Sequence, residues 1–129
     1  MSYVICDTNV FGHFFIGHES TPEELKWIGD ANILLPSVAW MEILRGSADR
    51  KAQAIIEKRI AKFTIVHIDE SISVRAAQLI QSYHLSHGLN IPDALIAATA
   101  LELDLELFTY NTKDFKFLPN IRLYQTAMP

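Results

Sequence analysis

The sequence predicts an α/β fold in which a mostly parallel sheet is covered by helices on both faces. Short apolar runs of strand length, at 3–6, 33–35, 64–68, 105–110 and 122–124, alternate with longer segments that carry helix start and stop signals. Strands separated in this way pair in parallel, because each return crossing is made by a helix. The 129 residues, half of them apolar and a fifth charged, suit a single domain over 1–129 with a real core.

Taken in order, 3–6 reads as a buried strand and 8–16 as a short helix holding Phe11, Phe14 and Phe15. At about 100° per residue those three rings cannot share one face, so at least one is expected to be exposed or covered by another chain. Thr21-Pro22-Glu23-Glu24 reads as a capping box with proline just inside, opening a helix that carries Leu25, Trp27 and Ile28. The strand 33–35 stops at Pro36, Ser37 caps a helix over 38–45, and Gly46 ends it. An amphipathic helix follows with Ala52, Ile55, Ile56, Ile60 and Phe63 as its apolar stripe. After the strand 64–68, Asp69 caps a helix that Gly88 closes, and Pro92 opens an apolar helix running to about 104.

Composition narrows the function. No apolar run approaches the ~20 residues of a bilayer crossing and no cleavable leader opens the chain, which reads as a soluble cytoplasmic protein. Cys6, the single cysteine, sits in the first apolar run and reads as a small core residue. The net charge of −4 argues against bulk coating of nucleic acid, but the charge is uneven. Between 45 and 62, six basic residues face two acidic ones for a net +4; the 5 basic and 13 acidic groups elsewhere give −8. That basic segment is either a solvated helix face or a seat for a phosphate backbone beside an acidic cleft.

Four carboxylates carry the chemistry. Asp7 leaves the first strand, Asp93 sits in the first turn of the Pro92 helix, and Asp114 follows the 105–110 strand. In a parallel α/β sheet the segments leaving strands converge beyond the C-terminal edge, where ligands bind. Glu42 lies in Val38-Ala39-Trp40-Met41-Glu42-Ile43-Leu44, a helix expected to be buried nearly all round, so its carboxylate needs a partner. Arg45 at i+3 is one candidate and a metal ion shared with the other acids is another. Asp93 alone could simply complement a helix dipole.

An oxygen-only donor set suits a hard divalent cation, Mg²⁺ or Mn²⁺. The histidines lack metal-ligand spacing, and His84 and His87 suit the C-terminal end of their helix. There is no phosphate loop, nucleophile elbow or dinucleotide fingerprint. Acids holding a divalent cation to activate water against a phosphodiester amount to nuclease chemistry.

Four segments resemble the PIN-domain ribonucleases, and in size and layout the VapC toxins of prokaryotic toxin–antitoxin pairs. They are Val4-Ile5-Cys6-Asp7-Thr8-Asn9, Pro36-Ser37-Val38-Ala39-Trp40-Met41-Glu42-Ile43, Gly88-Leu89-Asn90-Ile91-Pro92-Asp93-Ala94-Leu95-Ile96-Ala97-Ala98-Thr99-Ala100 and Leu107-Phe108-Thr109-Tyr110-Asn111-Thr112-Lys113-Asp114-Phe115. The third is the most specific. The resemblance implies a PIN-like three-layer α/β/α sandwich and Asp7, Glu42 and Asp93 as metal-binding acids, with Asp114 as a more variable fourth. It implies that Thr8, Asn9, Ser37, Thr109 and Asn111 support the acids or the water. It also implies divalent-metal-dependent RNA cleavage, frequent homodimers and a cognate antitoxin. An antitoxin segment is then expected near the aromatic helix after Asp7. A housekeeping PIN nuclease of RNA maturation would share every one of these acids. A phospho-receiver or non-catalytic module on a similar sheet fits less well, since Asp7 has no acidic neighbour.

Overall fold

A computed structural model of the chain describes residues 2–18 and 20–127. The strands are β1 (Val4–Cys6), β2 (Ile33–Pro36), β3 (Thr64–Val66) and β4 (Glu106–Phe108), hydrogen-bonded in the order β3-β2-β1-β4 and parallel throughout. Every residue of the two central strands is buried, as expected of a parallel sheet covered on both faces. The helices are α1 (Thr8–Ile16), α2 (Thr21–Ile28), α3 (Ser37–Arg45), α4 (Arg50–Ile60), α5 (Glu70–His87) and α6 (Ile91–Leu103). The first two crossovers step one way across the sheet and the third steps back past both. Right-handed connections therefore put α1 to α4 over one face and the mutually packed pair α5 and α6 over the other. The α/β/α sandwich expected from the sequence is the fold observed. No helix among the described residues is long and apolar enough to cross a membrane.

The chain brings the N-terminus of α6 to the C-terminal edge of the sheet by a simple constraint. Asp104, at φ 53°, caps α6, and only Leu105 separates it from the start of β4. The 13-residue helix must therefore begin about 20 Å away, beyond the opposite end of β4. The approach to α6 is fixed by Gly88, which ends α5 at φ 66° with its N–H on the carbonyl oxygens of Tyr83 and His84. This left-handed cap is cheap for glycine and strained for other residues.

Several local expectations are corrected. The last strand, at 122–124, shrinks to one parallel bridge between Leu107 and Leu123, flanked by Leu107 N to Arg122 O and Tyr124 N to Leu107 O, both 2.8 Å. The chain reaches that edge out of a left-handed turn at Asn120, φ 67°, and only Leu123 attains ladder register.

The capping box does not form either. Ser20 occupies the cap position without a side-chain capping bond, and Thr21 is already helical. The Thr21 hydroxyl pairs with the Tyr110 hydroxyl instead. Glu24, 1 % exposed, turns inward to accept from the Tyr124 hydroxyl and from Ala127 N at 3.1 Å. Burial and that carboxylate raise Tyr124 above its usual range, so it remains a donor. Likewise Ser37 is the first residue of α3 rather than its cap, and Pro36 precedes it with no side-chain bond.

A further correction concerns α1. Phe11 is fully buried, and Phe14 and Phe15 pack partly buried against the core. Arg59 of α4 lies over both outer rings at 4.7 and 5.2 Å and donates to the carbonyl oxygens of Phe15 and Phe14 at 3.1 and 3.5 Å. One guanidinium thus covers two rings and adds donors to the carbonyls at the end of α1, where Phe14 O also accepts from Gly17 N at 3.2 Å. The exposed apolar side chain of α1 is Ile16, at 76 %. On α4 the predicted stripe is also only partly inward: Ile60 is buried, whereas Ile55 is 54 % exposed.

Candidate active site at the sheet edge

Asp7 terminates β1 and caps α1. Its N–H donates to Phe108 O at 2.9 Å, which ties the turn to β4. Its carboxylate, 5 % exposed, accepts from Thr8 N at 2.7 Å through Oδ1 and from Thr109 Oγ1 at 2.8 Å through Oδ2. Burial raises the pKa of Asp7, those two hydrogen bonds oppose the rise, and the charges of Glu42 and Asp114 add to it.

Thr109 is the hub of a small polar lattice. Its Oγ1 also accepts from Asn111 N at 3.0 Å and from Asn9 Nδ2 at 3.4 Å, while Asn9 Oδ1 accepts from Tyr110 N at 3.2 Å. Asn9, Thr109 and Asn111 therefore help hold the loop after β4 against Asp7, while Thr8 holds Asp7 from the start of α1. No hydrogen bond links Ser37 to any of the acids among the described residues, so the part expected of it there has no contact behind it.

Glu42 departs from its expected surroundings. Met41, Glu42 and Arg45 form an exposed face of α3, and Glu42 is not buried. The helix packs through Ala39 and Ile43, with Val38 and Trp40 half-buried against the core, and its outer side is exposed. Thr8 Oγ1 donates to Glu42 Oε1 at 2.7 Å, and among the described residues Arg45 forms no ion pair with it. The partner that burial seemed to demand is a hydroxyl, and it fastens Glu42 to the residue beside Asp7.

Asp93 lies in the first turn of α6 beneath the cap made by Asn90, whose Oδ1 accepts from Asp93 N at 2.9 Å. Its pKa is pushed up to about 6, first by burial and then by the charges of Asp7, Asp114 and Glu42, with Asn90 opposing. A first-turn acid interacting only with a helix dipole would be lowered. Asp114, at the end of a short 3-10 turn (Thr112–Asp114), lines one cleft with Asp93. Four acids from four separate segments thus feel one another's charge at one edge of the sheet.

The same cleft, about 140 Å³, is also lined by His87, Asn90, Lys113 and Phe117. None of these was singled out as a site residue by sequence reasoning. Lys113 could have been noticed from its adjacency to Asp114; His87 and Asn90 are brought together by the turn at Gly88, and Phe117 joins them only through the long-range stack on His87. His84 and His87 do occupy the last turn of α5 as expected.

The donor set suits a hard divalent cation in chemistry and charge. All four groups are carboxylates, and among the described residues none is in an ion pair. As placed, no three His, Cys, Asp or Glu side chains among the described residues close into a cage. That is compatible with Mg²⁺, which keeps several waters and needs only one or two direct carboxylates.

The profile of the PIN domain family matches residues 4–119. The chain belongs to the PIN domain family. Its resemblance to that family, drawn from the four motif segments, is borne out. Solved structures agree with the fold. A chain of a toxin–antitoxin complex from Klebsiella pneumoniae is 30% identical over 92% of this chain and 94% of that one, with a TM-score of 0.77. A chain of FitAcB from Neisseria gonorrhoeae is 25% identical over 95% and 96%, TM-score 0.74. One of DNA-bound VapBC from Salmonella typhimurium is 21% identical over 96% and 98%, TM-score 0.81, a likeness of fold. No curated protein matches this PIN domain in sequence.

Proposed function

We propose that this PIN domain is a ribonuclease that requires Mg²⁺ or Mn²⁺ and is the toxin of a toxin–antitoxin pair. The observation that carries the reading is the convergence of Asp7, Glu42, Asp93 and Asp114 on one sheet edge, each of the other three raising the pKa of Asp93. Clustered like charges are costly unless a cation offsets them. When bound, a divalent cation supplies that charge, acidifies water and stabilises the leaving oxygen of a phosphodiester.

The side chains have separable tasks in this proposal. Asp7, with one hydrogen bond on each oxygen, is held in place and would be a ligand of the cation. Glu42 is steered by Thr8 and stays at the solvent side, able to bind the cation or the attacking water. Asp93 and Asp114, which line one cleft, would add further carboxylate oxygens for the cation. Thr109, Asn9 and Asn111 keep the wall and Asp7 in register.

The toxin assignment is supported by the Klebsiella pneumoniae toxin–antitoxin complex, whose matched chain and this one overlap over almost their full lengths. The partners proposed are single-stranded RNA, a cognate antitoxin and a second copy of the chain. The deciding experiment incubates the purified protein with labelled RNA in Mg²⁺, Mn²⁺ or EDTA, beside Asp7→Asn and Asp93→Asn proteins of intact fold. Cleavage in either metal, lost in EDTA and in both variants, is the expected result. Equal cleavage by the variants would overturn the reading. Coexpression with the product of an adjacent small gene tests the toxin role: that product should form a complex and suppress cleavage, and a lack of both would favour a housekeeping nuclease.

A further inference from the structure

Beside the acids, the cleft wall combines a free cation with an aromatic plane. Among the described residues Lys113 is the one lysine or arginine lining it, adjacent in sequence to Asp114, and it forms no ion pair there. His87 stacks on Phe117, centroids 4.1 Å apart and planes 11° apart. Tyr83 contacts both rings, at 5.8 Å from His87 and 5.5 Å from Phe117. Ser86 Oγ engages His87 Nδ1 at 2.7 Å. Phe117, Tyr83 and Ser86 together orient the His87 ring, yet the residue remains exposed.

A ring pinned by a stacked partner in an exposed residue is suited to be a stacking platform, and every base has a face to lay on it. A lysine beside carboxylates without pairing to them is suited to a phosphate. The cleft volume of about 140 Å³ is small, enough for a phosphate and the edge of a sugar rather than for a whole nucleotide, so the base belongs outside on the exposed ring.

We infer that Lys113 and His87 form a subsite for the nucleotide flanking the scissile bond of a single strand, its phosphate on Lys113 and its unpaired base on His87. This rests on the ribonuclease reading for its biological sense, but it makes a separate claim about binding. A duplex cannot use the platform, because its bases are already stacked. The subsite thereby gives the acidic edge a preference for unpaired RNA and holds the strand at a fixed offset from the acids.

The test measures anisotropy of a fluorescent single-stranded oligoribonucleotide in Mg²⁺, with every protein carrying Asp7→Asn so that RNA is not consumed. Lys113→Gln should weaken binding about tenfold near 50 mM salt and reduce the salt slope by about 0.7, the share of one single-strand phosphate. Lys113→Arg should restore both. His87→Ala should weaken binding by about tenfold at every salt concentration, within the range for removal of one stacked base, while His87→Phe retains affinity. Binding of a duplex should be unmoved by either His87 change. In the otherwise unaltered protein, Lys113→Gln should raise KM far more than it lowers kcat. An unchanged salt slope in Lys113→Gln, or wild-type affinity in His87→Ala, overturns the subsite. If binding responds as expected but the unaltered protein cleaves no RNA, the nuclease reading fails and the subsite stands. If it cleaves and binding does not respond, only the subsite fails.

Discussion

Thr8 and Glu42 are joined by a hydrogen bond of 2.7 Å, from the hydroxyl of one to the carboxylate of the other. Because the N–H of Thr8 also holds Asp7, a single residue sets the positions of two acids that are far apart in sequence. Thr8→Val keeps the shape and the backbone bond but removes the hydroxyl. It should leave the melting temperature nearly level, since Glu42 is exposed, and reduce RNA cleavage by about 10- to 100-fold, the usual cost of losing a residue that orients a metal ligand. Thr8→Ser should recover most of the rate. Wild-type single-turnover rates and unchanged Mg²⁺ dependence in Thr8→Val would show that Glu42 needs no such support.

Asp93 makes the metal-free fold sensitive to pH in a definite direction. Its folded pKa is about 6, above the usual carboxylate value, so the native state holds this proton more tightly than the unfolded chain does. Stability from this group is greatest below about pH 4 and is lost as pH rises through about 6. Asp7, raised in the same sense, adds to the effect. In EDTA, thermal melts should therefore favour Asp93→Asn over the parent by a few degrees at pH 7.5, with the gap closing toward pH 4.5. Added Mg²⁺ should stabilise the parent more at pH 7.5 than at 5, because protons and cation compete for the same oxygens. A parent that gains stability between pH 5 and 7 relative to Asp93→Asn would contradict the assigned shift.

The elements were legible in the sequence wherever a local signal coincided with a local cause. Asp69 does accept from Ile72 N, Gly88 does close α5, and Asn90-Ile91-Pro92-Asp93 does open α6. Asp7, Asp93 and Asp114 were legible because each stands at an element boundary that topology carries to one edge. What stayed hidden was long-range. Glu24 has the spacing of a capping-box acid, but its partners lie about a hundred residues on, at Tyr124 and Ala127. Glu42 sits in an apolar stretch, yet burial depends on what covers the outer side of α3, which the stretch itself does not specify. The Phe14 and Phe15 rings found their cover in a charged residue, Arg59, since a guanidinium can lie on an aromatic face while its edge remains in water.

Glu24 yields a stability prediction independent of catalysis. Its carboxylate is buried and accepts from a phenol and from a backbone N–H, fastening the segment after β4 onto α2. Glu24→Ala leaves those donors without their acceptor and opens a void, and should cost about 2–4 kcal/mol in urea unfolding. Tyr124→Phe removes one bond but leaves the carboxylate its amide donor, and should cost about 1–2 kcal/mol. Metal-dependent cleavage by the folded fraction should persist in both. Two neutral substitutions would mean that the segment is not held by this contact.

The basic segment divides into residues committed to the fold and residues free for RNA, and the division can be measured. Arg59 covers Phe14 and Phe15, and Lys62 lies 5.3 Å from the Phe14 and Phe63 ring centres and 3.5 Å from an Asp30 oxygen. Lys51 and Lys58 are exposed and form no ion pair among the described residues. Exposed cations near a phosphate backbone release counterions when they bind it, whereas Arg59 and Lys62 already have partners in the folded protein. Replacing Lys51 and Lys58 together with Gln should leave the melting temperature within a degree or two and lower the salt slope of RNA binding by up to about 1.4, or about 0.7 for each phosphate no longer neutralised. Arg59→Gln should instead destabilise by about 1–2 kcal/mol, through loss of the ring coverage and the carbonyl bonds, with little change in that slope. The reverse pattern, a salt slope that responds to Arg59 and not to the two lysines, would place the RNA across the end of α1 and leave the lysines as an ordinary solvated face.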